Sequence, residues 1–550
     1  MSVITGRSVV ATTRGIVAAS SPLAAQAGAQ ILARGGHAVD AAIAANAVLG
    51  LVEPYMNGMG GDLFAIVYDA GRDALHGLNA SGPAPAGLSP EMFRRRGIGE
   101  MPDTGIHSVT VPGAVAGWAA LQERFGKVPL ADVLAPAIFY AEDGFPVAPV
   151  VAGGWAVLEE AVGVDPSAAA TYLPGGAAPA AGTIFRNPDL ARSLRLVAAH
   201  GAEAFYRGPI AEAILSCSRA HGGTMAAADL ASFAPEWVAP VSTTYRGWTV
   251  YELPPNTQGI AALMMLDLME TAPLARYGVH SVDALHTMIE AKKLAYADML
   301  RWVGDPRFAA PPLPALLDKG RAARRAEAID PTQAAARVEP DQLAGLTTGH
   351  GGDTVYLSAI DRDGNIVSLI QSIFGHFGSG LVAPGTGFAL QNRGALFTLE
   401  PGHPNELAPG KRPLHTIIPG FMRKDDVRIG FGIMGGFNQA QAHAQFVANV
   451  VDFGLNIQEA LEAGRFTKPT FAGLDVSVEE TIPTGSRRGL AARGHDVMTV
   501  PARTHVFGYG QAVMSDGSGV HYGASEPRHD GAAIPQAPPV FEAAARRSGQ

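Results

Sequence analysis

Two helices are predicted near the start of the chain by the arrangement of its apolar residues. Ser21 precedes Pro22 and a run of small and apolar residues that closes with Gly35, an order typical of an N-cap, a first helical turn and a helix end. The next segment, AAIAANAVLGLV, follows Asp40 as its predicted N-cap. Because this segment is apolar on nearly every face, it indicates a helix that is buried on all sides.

Further along, helices alternate with short strands. A glycine-rich turn ends at Asp62, and residues 63–68 after it form a predicted strand, as do residues 248–253. Ser281 is the predicted N-cap of a long amphipathic helix. Residues 307–353, rich in Ala, Arg and Pro, lack a firm strand pattern and are predicted to form an exposed connector.

A β-hairpin is predicted directly after this connector. Residues 354–360 and 365–372 have the pattern of strands, and the Asp363-Gly364 pair between them is typical of a hairpin turn. More strands are expected at residues 387–390, 428–431 and 510–514, and more helices at residues 439–451 and 457–463. Elements of both kinds along the whole chain predict a layered α/β protein.

Composition narrows the functional classes. Hydrophobic residues make up 47% of the 550 residues and charged residues 17%, below the roughly 25% usual in soluble domains, so a compact chain is expected. The net charge of -9 leaves no bulk basic surface for nucleic acid or anionic lipid. No apolar run approaches the roughly 18 residues that cross a bilayer, and the first residues do not resemble a secretory signal. We therefore expect a cytoplasmic protein with neither nucleic acid nor membrane as a partner.

Metal and cofactor chemistry find little support in the sequence. Cys217 is the single cysteine, which excludes disulfide frameworks and cysteine-based metal sites, and the 16 histidines form no H-E-x-x-H or comparable pair. The segment from Gly430 to Gly435 fits G-x-G-x-x-G, but the second parallel strand of a dinucleotide-binding unit does not follow it. We expect no metal and no cofactor. The glycine turn at the helix start can still hold an anion or a developing oxyanion on its backbone N–H groups.

Thr354 is the candidate nucleophile. The chain has no G-x-S-x-G elbow, so a hydroxyl nucleophile needs another route of activation. A threonine freed at a chain N-terminus has such a route, because its own α-amine takes the hydroxyl proton. Thr354 begins a strand after a glycine-rich stretch, as this route requires, although by spacing alone an ordinary β-branched strand residue fits better.

Ordered motifs along the chain carry a family resemblance. From about residue 5 to 533 they include RGGHAVDAAIAANAVLGLVEPYMNGMGGD, VTVPGAVAGW, LPPNTQGIA, TVYLSAIDRDGN, GSGLVAPGTGFALQN, PGKRPLHTIIPG and EPRHDGAA. Together they resemble the γ-glutamyltranspeptidase family of N-terminal-nucleophile hydrolases. The resemblance implies a four-layer αββα fold made as one precursor that cuts itself between Asp353 and Thr354. A large subunit of residues 1–353 and a small catalytic subunit of residues 354–550 would then form one domain together.

The resemblance also implies roles for three more residues. Gly435 and Gly436 match the glycine pair whose backbone N–H groups form the family's oxyanion hole. Ser372 matches a second hydroxyl residue that assists the nucleophile. The predicted hairpin agrees, because it brings residue 372 back beside Thr354, although a shift of one residue in register would change which side chain faces it.

The sequence departs from the family where the transpeptidases bind the charged γ-glutamyl head. Ser81 stands in place of an arginine for the α-carboxylate, and Ala395 or Leu396 in place of an aspartate for the α-amine. A pair of serines becomes His415 and Thr416. Because a neutral site gains little from a zwitterionic ligand, these departures count against glutathione hydrolysis.

The variant motifs GDTVYLSAID, SIFGHFGSG, ALQNRG and GKRPLHT are similar to those of the family's oxamate amidohydrolase branch. They imply hydrolysis of a small anionic amide such as oxamate. A γ-glutamyl hydrolase or transferase, a glutaryl-cephalosporin-type acylase and a binding protein without turnover stay open as alternatives, and so does a homodimer.

Arg393 is the candidate partner of the substrate carboxylate, because a guanidinium can hold a carboxylate through two hydrogen bonds. Asn392, His376, His415 and Thr416 are the other candidate substrate-binding residues. The alternative for Arg393 is an ion pair with a local carboxylate that serves the structure alone.

Overall fold

A computed structural model describes residues 6–338, 353–471 and 473–539. Its strands are β1 (Val10–Thr12), β2 (Ile16–Ala19), β3 (Asp62–Asp69), β4 (Ala74–Ala80), β5 (Phe145–Pro146), β6 (Ile184–Phe185), β7 (Glu236–Val238), β8 (Val241–Tyr245), β9 (Trp248–Glu252), β10 (Asp353–Ile360), β11 (Ile366–Phe374), β12 (Gly420–Lys424), β13 (Val427–Ile433), β14 (Phe466–Thr467), β15 (Asp475–Glu479), β16 (Asp496–Val500), β17 (Gly510–Ser515), β18 (His521–Ser525) and β19 (Ala532–Pro535).

The α-helices of the same residues are α1 (Pro22–Ala33), α2 (Ala38–Val52), α3 (Pro90–Arg95), α4 (Ala114–Phe125), α5 (Leu130–Asp143), α6 (Pro149–Val157), α7 (Glu159–Val162), α8 (Pro166–Tyr172), α9 (Pro188–His200), α10 (Glu203–Tyr206), α11 (Pro209–Ala220), α12 (Ala227–Ala231), α13 (Gly259–Met269), α14 (Leu274–Tyr277), α15 (Val282–Trp302), α16 (Leu313–Leu316), α17 (Lys319–Ala326), α18 (Asn438–Val451), α19 (Ile457–Glu462) and α20 (Thr484–Ala492). Within the described ranges, no helix has the length and apolar character needed to cross a membrane.

Two seven-stranded sheets form the centre of the fold. The first sheet has the order β19-β2-β10-β11-β3-β4-β7, and the second has the order β1-β18-β17-β13-β12-β9-β8. Strand β11 pairs antiparallel with β10 on one side and β3 on the other, and β13 pairs antiparallel with β12 and β17 in the same way. The predicted hairpin of β10 and β11 is confirmed and lies in the middle of the first sheet.

Alternation along the strands creates the layers. Val355 and Leu357 of β10 pack in the core that contains α1 and α2, whereas Tyr356 and Ile360 pack in a second core with Phe421 of the opposite sheet. Successive side chains of a strand point to opposite faces, so one sheet serves both cores. A third core joins the second sheet to α13, α15 and α18. The result is the predicted four-layer αββα sandwich.

Three sequence predictions differ from the structure. The N-cap of α2 is His37, whose Nδ1 accepts from the Val39 N–H at 3.1 Å, while Asp40 accepts from the His37 N–H at 2.9 Å as the third residue of a capping box. Residues 387–390 do not form a strand. Within them only Ala389 pairs, in an isolated bridge with Val382, because Gly387 has a φ of +76°.

The predicted connector is the third difference. Its described part contains α16 and α17, with Leu316 and Ala322 buried, and Arg321 and Arg325 of α17 both bind Asp298. Alanine and arginine favour a helix, and the buried carboxylate holds it in place. The rest of the connector, residues 339–352, lies outside the described residues.

Candidate active site

One end of the sandwich gathers most of the predicted catalytic residues. Antiparallel pairing brings the start of β10, the end of β11 and the start of β3 to the same edge, where Ser372 lies opposite Asp62. Residues two positions apart on a strand share a face of the sheet. Thr354 therefore shares the face of Tyr356, and Ser372 shares the face of Ile370, which is the face between the two sheets. The second sheet contributes the glycine turn after β13 at this edge.

Thr354 is buried at the head of β10, with 1% of its surface exposed. A bulge between residues 353 and 355 interrupts the pairing with β11 there. The Gln439 Nε2 lies 3.5 Å from the Thr354 Oγ1 and donates to it. The nucleophile predicted from the sequence therefore lies beside the first turn of α18, which follows the glycine turn.

Gly435 and Gly436 connect β13 to α18 with φ angles of +126° and +57°. Their carbonyls accept from the backbone N–H groups of Asn438 and Gln439, at 2.9 and 3.3 Å. Among the described residues, neither glycine N–H donates a hydrogen bond. Two unused backbone donors at a helix start are a suitable site for a developing oxyanion.

Arg393 is fully buried next to these groups. Its guanidinium donates to the Thr416 Oγ1 at 2.8 Å and to the Ser372 Oγ at 2.9 Å, and its Cζ lies 4.5 Å from the ring centre of Phe374. Its Nε has no hydrogen-bond partner among the described residues. Burial lowers the pKa of Arg393 to about 9, and the Asp62 carboxylate opposes this shift. The side chain therefore stays a cation near neutral pH.

Asp62 is a fully buried carboxyl group that interacts electrostatically with Arg393. Its Oδ1 accepts from the N–H groups of Gly82 and Gly113 and from the Gln391 Nε2, at 3.0 to 3.2 Å, and its Oδ2 lies 3.0 Å from the His415 Nε2. Burial raises the pKa of Asp62 to about 7, while Arg393 and these donors hold it down. Sequence reasoning assigned Asp62 to a turn only. The position of an acidic residue at the start of a strongly apolar strand indicates a site residue, because a buried carboxylate needs hydrogen-bond or ion-pair partners.

Two predicted substrate-binding residues are engaged in holding loops. His415 accepts at Nδ1 from the Ile417 N–H at 3.4 Å, and burial lowers its pKa well below the usual range, so the neutral ring presents its Nε2–H to Asp62. Asn392 accepts from the Gly375 N–H and donates to the Asp103 carbonyl, both at 2.7 Å. The His415 contacts use both ring nitrogens, whereas the Asn392 contacts leave one N–H and one oxygen lone pair of its amide.

The other candidates differ in position. Thr416 is buried, accepts from Arg393 at its hydroxyl, and accepts from the Gln258 Nε2 at its carbonyl. His376 is half-buried, with its ring centre 6.2 Å from that of Tyr55. Ser81 donates its hydroxyl to the Asn79 Oδ1 at 2.7 Å. Ser81 supplies no cation at its position, whereas Arg393 supplies a buried one.

A metal-binding arrangement occurs elsewhere in the described residues. Ligand atoms of His286, Glu290 and His495 lie within 4.8 Å of one another. The three residues are already linked by hydrogen bonds and an ion pair: the His286 Nδ1 bonds the His495 Nε2 at 2.8 Å, and the Lys293 ammonium lies 2.7 Å from the Glu290 Oε1. A nearby ammonium disfavours a dication, so the group serves as a hydrogen-bonded link between α15 and residue 495.

The arrangement at the sandwich edge has the parts of an acyl-transfer site. It combines a hydroxyl at a potential chain start, two free backbone donors and a buried cation beside a second hydroxyl. Such parts suit attack on a carbonyl, stabilisation of the oxyanion and recognition of an anionic acyl group.

Proteins of known family are similar to this chain over most of its length. The family model of gamma-glutamyltranspeptidase matches residues 24–536. The chain is 36% identical to the glutathione hydrolase-like YwrD proenzyme of Bacillus subtilis, over 95% of this chain and 98% of that protein. It is 34% identical to the oxamate amidohydrolase proenzyme of Klebsiella pneumoniae, over 95% and 98%. The crystal structure of cephalosporin acylase from Bacillus halodurans is similar with a TM-score of 0.90 and 43% identity, covering 97% of this chain and 98% of that chain.

Proposed function

Because this chain belongs to the γ-glutamyltranspeptidase family of amide hydrolases, we propose that it is a self-processing threonine hydrolase for amides whose acyl group carries a carboxylate. The observation that carries the proposal is the position of Thr354 at the head of β10, connected through Gln439 to the glycine turn, whose two N–H groups have no partner among the described residues. Self-cleavage between Asp353 and Thr354 would create the subunits 1–353 and 354–550. Cytoplasmic location stays a prediction.

In the proposed reaction, the free α-amine of Thr354 takes the proton of its own hydroxyl as the oxygen attacks the amide carbonyl. The Gly435 and Gly436 N–H groups stabilise the oxyanion. The amide C–N bond breaks and the leaving amine receives the proton. Water then attacks the acyl-threonine ester and releases the acid.

Arg393 supports the preference for a carboxylate. The Arg393 guanidinium uses two of its five N–H groups on Thr416 and Ser372, and its Nε–H has no partner among the described residues, so donors remain for a ligand. The half-buried Phe374 ring lies over the guanidinium. Oxamate bears a carboxylate directly beside the reacting carbonyl, so it is our first candidate substrate. Asp62 already balances part of the Arg393 charge, which favours a ligand with a single negative charge.

The second candidate is a glutaryl amide, favoured by the similarity to a cephalosporin acylase. Its acyl group also carries one carboxylate, on a longer chain. A γ-glutamyl group fits less well, because its α-amine needs an acid, and the short 3₁₀ helix Arg393–Leu396 presents Ala395 and Leu396 where the family has an aspartate.

A substrate panel tests the proposal. Purified processed protein is incubated with oxamate, neutral oxamide, glutaryl p-nitroanilide and γ-glutamyl p-nitroanilide, and the release of ammonia or p-nitroaniline is followed. We expect kcat/KM to be largest for oxamate or the glutaryl compound. A preference for oxamide or for the γ-glutamyl compound would contradict the assigned acyl class.

Replacing Arg393 with glutamine tests whether this residue binds the substrate carboxylate or only stabilises the fold. Glutamine can still donate to Ser372 or Thr416 but lacks the charge. We expect normal self-cleavage and a roughly 10- to 100-fold rise of KM for the preferred anionic amide, since a charge-assisted hydrogen bond is worth about 1.5–3 kcal/mol. Hydrolysis of oxamide should change less than threefold.

The matched control for that prediction is Arg423→Gln. Arg423 is a partly exposed arginine of β12 that forms an ion pair with Asp73. This variant should leave both KM values unchanged. If Arg393→Gln weakens charged and neutral amides equally, Arg393 serves the structure alone and the carboxylate preference loses its support.

A further inference from the structure

Gln439 makes a contact that the sequence analysis did not anticipate. It is the second residue of α18 and is fully buried. Its Oε1 accepts from the Ile418 N–H at 3.1 Å, and its Nε2 lies 3.5 Å from the Thr354 Oγ1. The opposite orientation of the amide would set two N–H donors against each other at Ile418. The backbone therefore determines that a donor faces the nucleophile.

A donor at this position controls the direction of the hydroxyl. When the Thr354 Oγ1 accepts from Gln439, its own hydrogen points away from that amide and is available to a base. The same donor stabilises negative charge on the oxygen as the proton leaves. A separation of 3.5 Å is long for a hydrogen bond, and such bonds shorten in catalytic complexes as charge develops.

Gln439 also connects the nucleophile to the oxyanion turn. Its backbone N–H donates to the Gly436 carbonyl at 3.3 Å, and the Gln258 Nε2 donates to the same carbonyl at 2.8 Å. One residue thus contacts Thr354, the segment before β12 and the glycine turn. This arrangement sets the distance between the attacking oxygen and the donors that receive the oxyanion.

We propose that Gln439 is a catalytic residue that holds the Thr354 hydroxyl by donating to its Oγ1, both in self-cleavage and in turnover. The proposal rests on the proposed function. In turnover, the hydroxyl proton moves to the Thr354 amine, the Oγ–C bond forms, the amide C–N bond breaks, and the leaving amine takes the proton. Gln439 keeps its own protons throughout.

Two variants test this role. Gln439→Met keeps the length of the side chain without a donor, and we expect kcat and the rate of self-cleavage to fall roughly 10- to 100-fold, with KM within twofold. Gln439→Glu places a carboxylate near the Thr354 α-amine, whose usual pKa is about 8. An opposite charge favours the ammonium form, so the acid limb of the pH–kcat/KM profile should move up by about half to one pH unit.

The shift of the acid limb separates a contact with the nucleophile from a loss of structure. The other ionisable groups around this edge are Arg393, Asp62, His415 and the hydrogen-bonded His443 and Glu252, and none of them is changed in these variants. Gln441→Met and Gln441→Glu are the controls, because Gln441 lies on the same helix but donates to Thr467 and the Lys468 carbonyl. Both controls should keep the wild-type profile.

Distinct outcomes separate this proposal from the proposed function. If Gln439→Met cleaves and turns over within twofold of the wild type, or if it matches Gln441→Met, the role of Gln439 is overturned while the proposed function stands. If the wild type cleaves itself but hydrolyses none of the amides, only the substrate assignment fails, and the cleavage rates still decide on Gln439. A wild type that does neither contradicts both.

Discussion

Thr354→Ala should accumulate as an intact, inactive chain of 550 residues, whereas the wild type should separate into pieces of 353 and 197 residues. The reason is chemical: in the precursor the Thr354 hydroxyl attacks the preceding carbonyl, and in the product the same hydroxyl attacks the substrate. Alanine removes both reactions but adds no volume at this buried position. Denaturing electrophoresis and N-terminal sequencing of the smaller piece, expected to begin TVYLSA, check this result.

Thr354→Ser is the companion variant. Serine keeps the hydroxyl and loses one methyl group, so partial cleavage and partial turnover are expected. A wild-type chain that stays at full length yet hydrolyses amides at a normal rate would exclude the mechanism altogether. Cleavage of Thr354→Ala at the wild-type rate would place the nucleophile elsewhere.

Gly435→Val is expected to lower kcat by a factor of about 10² to 10³, equivalent to about 2.7–4 kcal/mol, the usual cost of losing one oxyanion donor. Gly435 has a φ of +126°, which a β-branched residue resists. The atom nearest to the place of the new Cβ, the Gly508 Cα at 3.4 Å, is at an ordinary van der Waals distance, so the φ angle and not a clash resists the substitution. The backbone must therefore turn, and its N–H moves away from the oxyanion. Single-turnover kinetics on the processed enzyme measure the effect.

A second strained glycine supplies the matched control. Gly454 has a φ of +68° in an exposed turn with open space around it. Gly454→Val should lower the free energy of unfolding by about 1–3 kcal/mol through backbone strain, as expected for Gly435→Val, but it should keep the wild-type kcat. Equal kcat values for Gly435→Val and the wild type would show that this N–H does not act on the oxyanion.

Local signals in the sequence were sufficient for the elements that carry the site. The serine cap of α15, the hairpin at Asp363-Gly364 and the strand that contains Thr354 follow from rules that involve neighbouring residues only. Family motifs then supplied the layer arrangement and the glycine pair. The predictions of the hairpin and the α15 cap are confirmed because turns and caps depend on short-range geometry. The role of the glycine pair stays a prediction.

The partners of the site residues depended on the tertiary structure. Asp62 is 353 positions from His415, and Gln439 is 85 positions from Thr354, yet each pair is in contact. Asn392 and His415 are candidate substrate-binding residues, and the structure adds their contacts with Gly375, Asp103 and Asp62. The sequence by itself thus determined the family and the layered fold, and it singled out Thr354 as the candidate nucleophile and the glycine pair as the candidate oxyanion donors. Only the packing of the two sheets decided which polar groups are satisfied by the protein and which face the reaction, because hydrogen bonds between distant strands leave no local pattern.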